Sequence, residues 1–351
     1  MQRPTYALGP RSLSAVKLLR VSVTDRCNLR CVYCMPDEGM EWMGTAEDLL
    51  TPEDFAAVAE AMMHHGDGEG GVTSVKLTGG EPTVRRDLLE IVERIAALGP
   101  VELSLTTNGT QLRRLAGPLR RAGLHRVTVS LDSLRPERFK QITRGGRLDI
   151  VLDGLRALDD AGFTSTKINV VVIRGWNDDE LADLAALSIE MPYTVRFIEY
   201  MPLGVSAFTA PPLSDAAERW SGPDAMTVDN AEVHRRIAEA LSPTGRLDPV
   251  ARSTESGVGP ATVWRIPGAR GRVGFISAMS KPFCEACNRL RLTSVGELRS
   301  CLFDGGEVDL LPALRPRVNR DLLIELMRRC VGMKPLVHSA RGNRAMSQLG
   351  G

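Results

Sequence analysis

The sequence predicts an α/β protein: an incomplete (β/α)6 barrel of the TIM type followed by a C-terminal module. Three observations predict it. Short β-branched runs alternate with amphipathic stretches from Leu18 to about Tyr200, as parallel strands joined by helices require. Several of those stretches end in glycine, a helix stop. Glycine-rich, polar or cysteine-bearing segments (CNLRCVYC, TGGEP, TTNG, SLDS, EYMPLG) recur after the strands, where such architectures gather their function.

Taken in order, the strands are LLRVSVT, TSVKLT, VELSLT, HRVTVSLD, TKINVVVI and TVRFIEY. The helices between them are PEDFAAVAEAMMHH, RDLLEIVERIAALG, LRRLAGPLRRAG, DIVLDGLRALDDAG and NDDELADLAALSIE, with apolar residues at helical spacing. The partial barrel takes residues 1–202, and residues 203–260 form a connecting loop and the helix NAEVHRRIAEALS. Residues 261–351 form the module, with strands GRVGFIS and RLRLTS and a closing helix RVNRDLLIELMRRC. We expect the module to cover the open side of the barrel. The stretch from Leu203 to Met226 is loose and receives no role.

The 351-residue chain carries 44 basic and 43 acidic side chains, a net charge of +1. No long-range field therefore points to nucleic acid or to an anionic membrane, and any anion must be held by a local cluster of cations. There is no run of about 18 apolar residues and no signal peptide, so a cytoplasmic protein is expected. Seven cysteines in a reducing compartment favour metal or catalytic roles over disulfides.

Cys27, Cys31 and Cys34 are spaced CxxxCxxC directly after the first strand. Three thiolates can hold three irons of a 4Fe-4S cluster and leave the fourth open to a small molecule. Structural zinc needs four ligands, and the nearest histidines, His64 and His65, are distant in sequence. A second set, Cys284, Cys287 and Cys301, lies in CEACNRLRLTSVGELRSC. One four-thiolate zinc site made of Cys31, Cys34, Cys284 and Cys287 would leave Cys27 and Cys301 without a role, whereas two sets of three account for six thiols. Cys330 ends a helical pattern and reads as a small buried hydrophobe.

Other signals are weaker alone. The glycines of TGGEP allow close backbone approach, but an ordinary strand-to-helix turn looks the same. Arg289 and Arg291 are two residues apart on a strand, so both project from one face and could fork a phosphate; a solvated strand face is the plainer reading. Arg20 and Lys167 sit among apolar strand neighbours, and if they point into the barrel they must meet an anion or another charge. On the outer face they could instead pair with a helix carboxylate.

CNLRCVYC together with TGGEP resembles the radical SAM superfamily. CEACNRLR, Cys301 and the terminal GNRAMSQLGG are similar, more narrowly, to the GTP 3',8-cyclase family of molybdenum cofactor biosynthesis. The resemblance implies a barrel of the radical SAM kind, two 4Fe-4S clusters and S-adenosylmethionine, which binds the open iron at Cys27, Cys31 and Cys34. It places Tyr33 near the adenine, Gly80 at the methionine moiety, and Ser130 and Met201 at further contacts. It implies GTP contacts from Arg20, Lys76, Thr106, Lys167, Arg289, Leu290 and Arg291, with Lys76 standing where the family usually has arginine. The second cluster would bind guanine, and the catalytic tail Gly350 and Gly351 would enter the site.

The implied reaction begins with cleavage of S-adenosylmethionine to a 5'-deoxyadenosyl radical. The radical abstracts the ribose 3' hydrogen of GTP, and the 3' carbon closes on carbon 8 to give (8S)-3',8-cyclo-7,8-dihydroguanosine 5'-triphosphate. Implied partners are an electron donor such as flavodoxin or ferredoxin and cyclic pyranopterin monophosphate synthase, with the enzyme a monomer or a homodimer. Two other functions compete. A radical SAM enzyme modifying a peptide or another small molecule would usually carry a longer cysteine-rich extension, and a zinc-held nucleic-acid binder should show a basic surface.

Overall fold

The structure is a computed structural model that describes residues 11–45, 47–66, 70–203, 223–251, 257–303, 305–338 and 346–349. Its first half alternates as expected: β1 (Leu18–Ser22), α1 (Pro52–Met63), β2 (Ser74–Thr78), α2 (Leu88–Ala97), β3 (Glu102–Thr107), α3 (Leu112–Arg121), β4 (Arg126–Ser130). The crossover to β5 (Lys167–Val172) holds two helices, α4 (Pro136–Thr143), which periodicity did not reveal, and α5 (Leu148–Asp160); α6 (Leu181–Glu190) leads to β6 (Thr194–Glu199). Local sequence explains the helix starts. Thr51 and Asp54 form a reciprocal capping box around Pro52, which suits the first turn because it lacks a donor there.

β1 to β6 run parallel in sequence order. The second half adds strands to this same sheet. After α7 (Asn230–Leu241), β7 (Asp248–Pro249) and β8 (Thr262–Arg265) come β9 (Arg272–Ile276), which pairs parallel with β6, and β10 (Arg289–Leu292), which pairs parallel with β1. β11 (Glu297–Arg299) and β12 (Glu307–Asp309) continue beyond β10, followed by α8 (Leu311–Leu314), α9 (Arg320–Gly332) and α10 (Met346–Leu349). Among the described residues the sheet has 12 strands in the order β12-β11-β10-β1-β2-β3-β4-β5-β6-β9-β8-β7. The module thus occupies both edges of the six-stranded sheet, pairing backbone groups that would otherwise be left open at β1 and β6.

Strand alternation sorts the side chains. Leu19, Val21, Ile168, Val170, Leu290 and Leu292 join the apolar core, while Arg20, Lys167, Asn169, Arg289 and Arg291 line the concave interior. No described helix is long and apolar enough to cross a membrane.

Candidate active site

One cavity runs through the barrel interior, and all six cysteines of the two sets line it. The first set follows the C-terminal end of β1. The second precedes the start of β10 and follows the end of β11, which is antiparallel to β10. The two sets therefore sit at opposite ends of neighbouring strands, with the interior faces of those strands between them. At about 3.3 Å per residue, strands of this length separate the sets by roughly 15 Å.

The first loop is shaped by its own backbone and by two arginines. Cys34 and Met35 both donate to the Cys31 carbonyl, at 2.9 and 3.2 Å. Arg30 turns back to donate to the Cys27 and Leu29 carbonyls, at 2.7 and 3.1 Å. Arg144, which caps α4 at φ 51°, donates to the carbonyls of Arg30 and Met35. Sequence reasoning missed Arg144; a left-handed arginine at a helix end leaves no pattern to read. The Cys27 sulfur accepts the Leu29 amide at 3.4 Å. Burial pushes the Cys31 thiol well up, and the nearby Cys34 and Asp132 add to it.

TGGEP packs on this loop. Gly80 donates to Thr24 at 2.7 Å and Glu81 to Arg26 at 2.8 Å. A Cβ on Gly80 would stand 2.5 Å from the carbonyl oxygens of Asp25 and Arg26. What the missing side chain makes room for is thus the cysteine loop itself. The buried Glu81 carboxylate accepts from Thr83, from the Thr107 hydroxyl and from the Asn108 amide, tying TGGEP to TTNG. Tyr33 donates its hydroxyl to Asp132 at 2.7 Å, and burial raises that carboxyl to about 6. Tyr33, Gly80, Ser130 and Met201 all line this end of the cavity.

The middle is cationic. Arg20, Lys76, Lys167, Arg196, Arg289 and Arg291 line it, with Thr106 beside them. Burial lowers Lys76 well below its ordinary value, and Arg196, Arg126, Arg20 and Lys167 lower it further. Burial, then Arg289, takes Arg291 down to about 9. Such a cluster is costly without an anion. Arg196 and the Arg126–Glu102 pair were not foreseen. Arg196 lies in TVRFIEY, and the rule that singled out Arg20 and Lys167, a cation among apolar strand neighbours, would have found it. Leu290 behaves differently: its side chain is fully buried in the core on the far face of β10.

At the second set, Cys301 accepts the Phe303 amide and Cys287 the Lys334 amine, each at 3.4 Å. Burial would raise Cys287, but Arg289 and Lys334 overcome it and hold the thiol at about 6. Cys330 is buried in the core as expected. Arg291 donates to the Leu349 carbonyl at 3.2 Å, so the chain's last turn docks on the cationic middle. Gly350 and Gly351 lie outside the described residues.

Among the described residues no group of three His, Cys, Asp or Glu side chains is arranged to hold a single metal ion. Each thiol set instead opens onto a cavity, with backbone or side-chain N–H groups on its sulfurs, a donor set that fits a multi-iron cluster.

The chain matches the Radical SAM superfamily over residues 21–187 and Molybdenum Cofactor Synthesis C over residues 193–340. It is 43% identical to a GTP 3',8-cyclase of Pelotomaculum thermopropionicum over 96% of this chain and 98% of that one. A GTP 3',8-cyclase of Geobacter sulfurreducens is 44% identical over 95% of this chain and 94% of its own. The fold resembles SuiB of Streptococcus suis bound to S-adenosylmethionine, with a TM-score of 0.54 at 14% identity over 90% of this chain and 66% of SuiB. It also resembles anSMEcpe with bound AdoMet, with a TM-score of 0.51 at 14% identity over 95% and 93%. With both halves matched and relatives similar along nearly their whole length, the chain belongs to the GTP 3',8-cyclase family of radical SAM proteins.

Proposed function

We infer that the protein cyclises GTP to (8S)-3',8-cyclo-7,8-dihydroguanosine 5'-triphosphate, the first step of molybdenum cofactor biosynthesis. The observation that carries this reading is the placing of two three-thiol sets at the two ends of one cavity whose middle is lined by buried cations. When bound, two 4Fe-4S clusters and S-adenosylmethionine supply the electron and the 5'-deoxyadenosyl radical that removes the ribose 3' hydrogen.

The chain's own residues bind, orient and enclose. Cys27, Cys31 and Cys34 would hold one cluster and Cys284, Cys287 and Cys301 the other. Tyr33, Gly80, Ser130 and Met201 receive S-adenosylmethionine. Arg20, Lys76, Thr106, Lys167, Arg289 and Arg291 take the nucleotide, joined by Arg196 and by the backbone at Leu290. A polyanion answers the desolvated cations of the barrel, and forked guanidinium groups suit phosphate oxygens. Lys76 offers a point charge in place of a fork. Fixing the nucleotide between the two sets would orient its sugar and keep water away. Gly350 and Gly351, which follow Leu349 in sequence, complete the reading as a catalytic tail.

The same reading includes a flavodoxin or ferredoxin as electron donor, cyclic pyranopterin monophosphate synthase as consumer of the product, and a cytoplasmic location. Residues 1–202 and 261–351 are the two functional parts, joined through 203–260.

The test is anaerobic reconstitution, an iron and sulfide count, then reductant, S-adenosylmethionine and GTP with product analysis by mass spectrometry. About eight irons, with 5'-deoxyadenosine and a GTP isomer formed together, are expected. Cleavage of S-adenosylmethionine that leaves GTP untouched would remove GTP as the substrate.

A further inference from the structure

Lys334 follows α9 and is only 2% exposed, yet it does not line the cavity. Its amine donates to three acceptors on three segments: the Arg289 carbonyl at 2.6 Å, the Ser300 carbonyl at 3.1 Å and the Cys287 sulfur at 3.4 Å. A neutral amine has two N–H groups and an ammonium has three, so satisfying all three acceptors requires the charged form. The structure therefore holds a desolvated positive charge behind the second thiol set, against one of its sulfurs. Two carbonyl dipoles and a thiolate balance that charge, and among the described residues no carboxylate accepts from its amine.

A hydrogen bond or positive charge on a ligand sulfur favours the more negative, reduced state of an iron–sulfur cluster. Burial strengthens the effect, because little water screens it. The first set is built otherwise. There Cys27 accepts a backbone amide, the neighbouring Arg30 donates to backbone carbonyls, and buried carboxylates, Asp132 and Glu81, lie nearby.

We propose that Lys334 is a positioning residue that raises the reduction potential of the second cluster selectively, by placing a buried ammonium on the Cys287 sulfur while its two carbonyl contacts fix the ligand segments around Arg289 and Ser300. Residues outside the cavity thereby make the two clusters unequal: the set that serves S-adenosylmethionine keeps a low potential, and the set that faces the nucleotide is easier to reduce. This inference rests on the reading of Cys284, Cys287 and Cys301 as cluster ligands.

The test is a redox titration of the reconstituted full chain followed by electron paramagnetic resonance, with the first cluster as internal reference. Lys334→Met removes both charge and donors, Lys334→Gln keeps donors without charge, and Lys334→Arg keeps the charge. Both uncharged variants should lower the second cluster's midpoint by about 59 mV or more, the equivalent of a tenfold change for one electron, while the first stays within a few millivolts and Arg restores most of the difference. An unchanged second midpoint in Lys334→Gln overturns the proposal, as does an equal shift in both clusters. Loss of about half the iron from both uncharged variants would make Lys334 a structural clamp only and also overturn it. A wild-type protein holding a single cluster would instead overturn the assignment of the second thiol set, and with it the inference.

Discussion

Arg196 sits on β6 with its side chain turned into the cavity, 8% exposed, and one nitrogen 3.4 Å from the Thr128 hydroxyl. Replacement by Ala should weaken GTP binding by about 2 kcal/mol, roughly thirtyfold, as expected for one charge-assisted hydrogen bond. Isothermal calorimetry with GTP checks this, and S-adenosylmethionine binding should be unaffected. Asp132 carries a pH signature. Its carboxyl binds a proton more tightly when folded, at about 6, than when unfolded near the ordinary carboxylate value. The folded state therefore holds more protons across the interval between the two values, and stability falls as pH rises through it, by at most about 1.4 kcal/mol per pH unit. Denaturant melts of the cluster-free protein should show this fall relative to Asp132→Asn between about pH 4 and pH 6. No fall in that window would place Asp132 in a wetter site than its 3% exposure indicates.

At the scale of elements, the junction of TGGEP with the cysteine loop is a tight joint of the site. Gly80→Ala must push backbone aside, because the new Cβ meets two carbonyl oxygens at 2.5 Å. A loss of roughly 1–3 kcal/mol is expected by thermal unfolding, together with failure to retain the first cluster on reconstitution while the second is kept. Iron counts near four per chain would show it, and full retention of iron would mean that the loop can shift without cost. The strands and most helices of this region were legible because alternation and helical periodicity report directly on burial. α4 was not, since its eight residues are short and polar, and its place is set by contact with the cysteine loop through Arg30 and Val32.

For the whole molecule, the sheet edges make the two halves interdependent. β1 and β6 are edge strands if residues 261–351 are removed, so the fragment 1–202 should aggregate or pair with itself, which size-exclusion chromatography would detect; a stable monomer would contradict it. The chain's end matters for another reason. Leu349 is buried and its carbonyl accepts from Arg291, which commits the last turn to the cationic middle of the cavity. Deleting Gly350 and Gly351 should leave both clusters and 5'-deoxyadenosine formation intact and abolish cyclisation of GTP. Wild-type product yield from that variant would refute a catalytic tail.

The sequence by itself determined the alternating α/β plan, the six thiols in two sets and the cations of β1, β5 and β10, because spacing along a chain is chemistry that survives without coordinates. It also carried the family resemblance that the relatives bear out. Only the tertiary structure decided that β9 and β10 close on opposite edges of one sheet, and that the two thiol sets consequently stand at opposite strand ends. Strand order and direction are settled by pairing between residues far apart in sequence, such as Arg20 with Arg291, and no local pattern encodes them. For the same reason Arg144 turned out to brace the cysteine loop and Lys334 to reach Cys287 from behind, whereas Leu290 faces the core through the local alternation that turns Arg289 and Arg291 into the cavity.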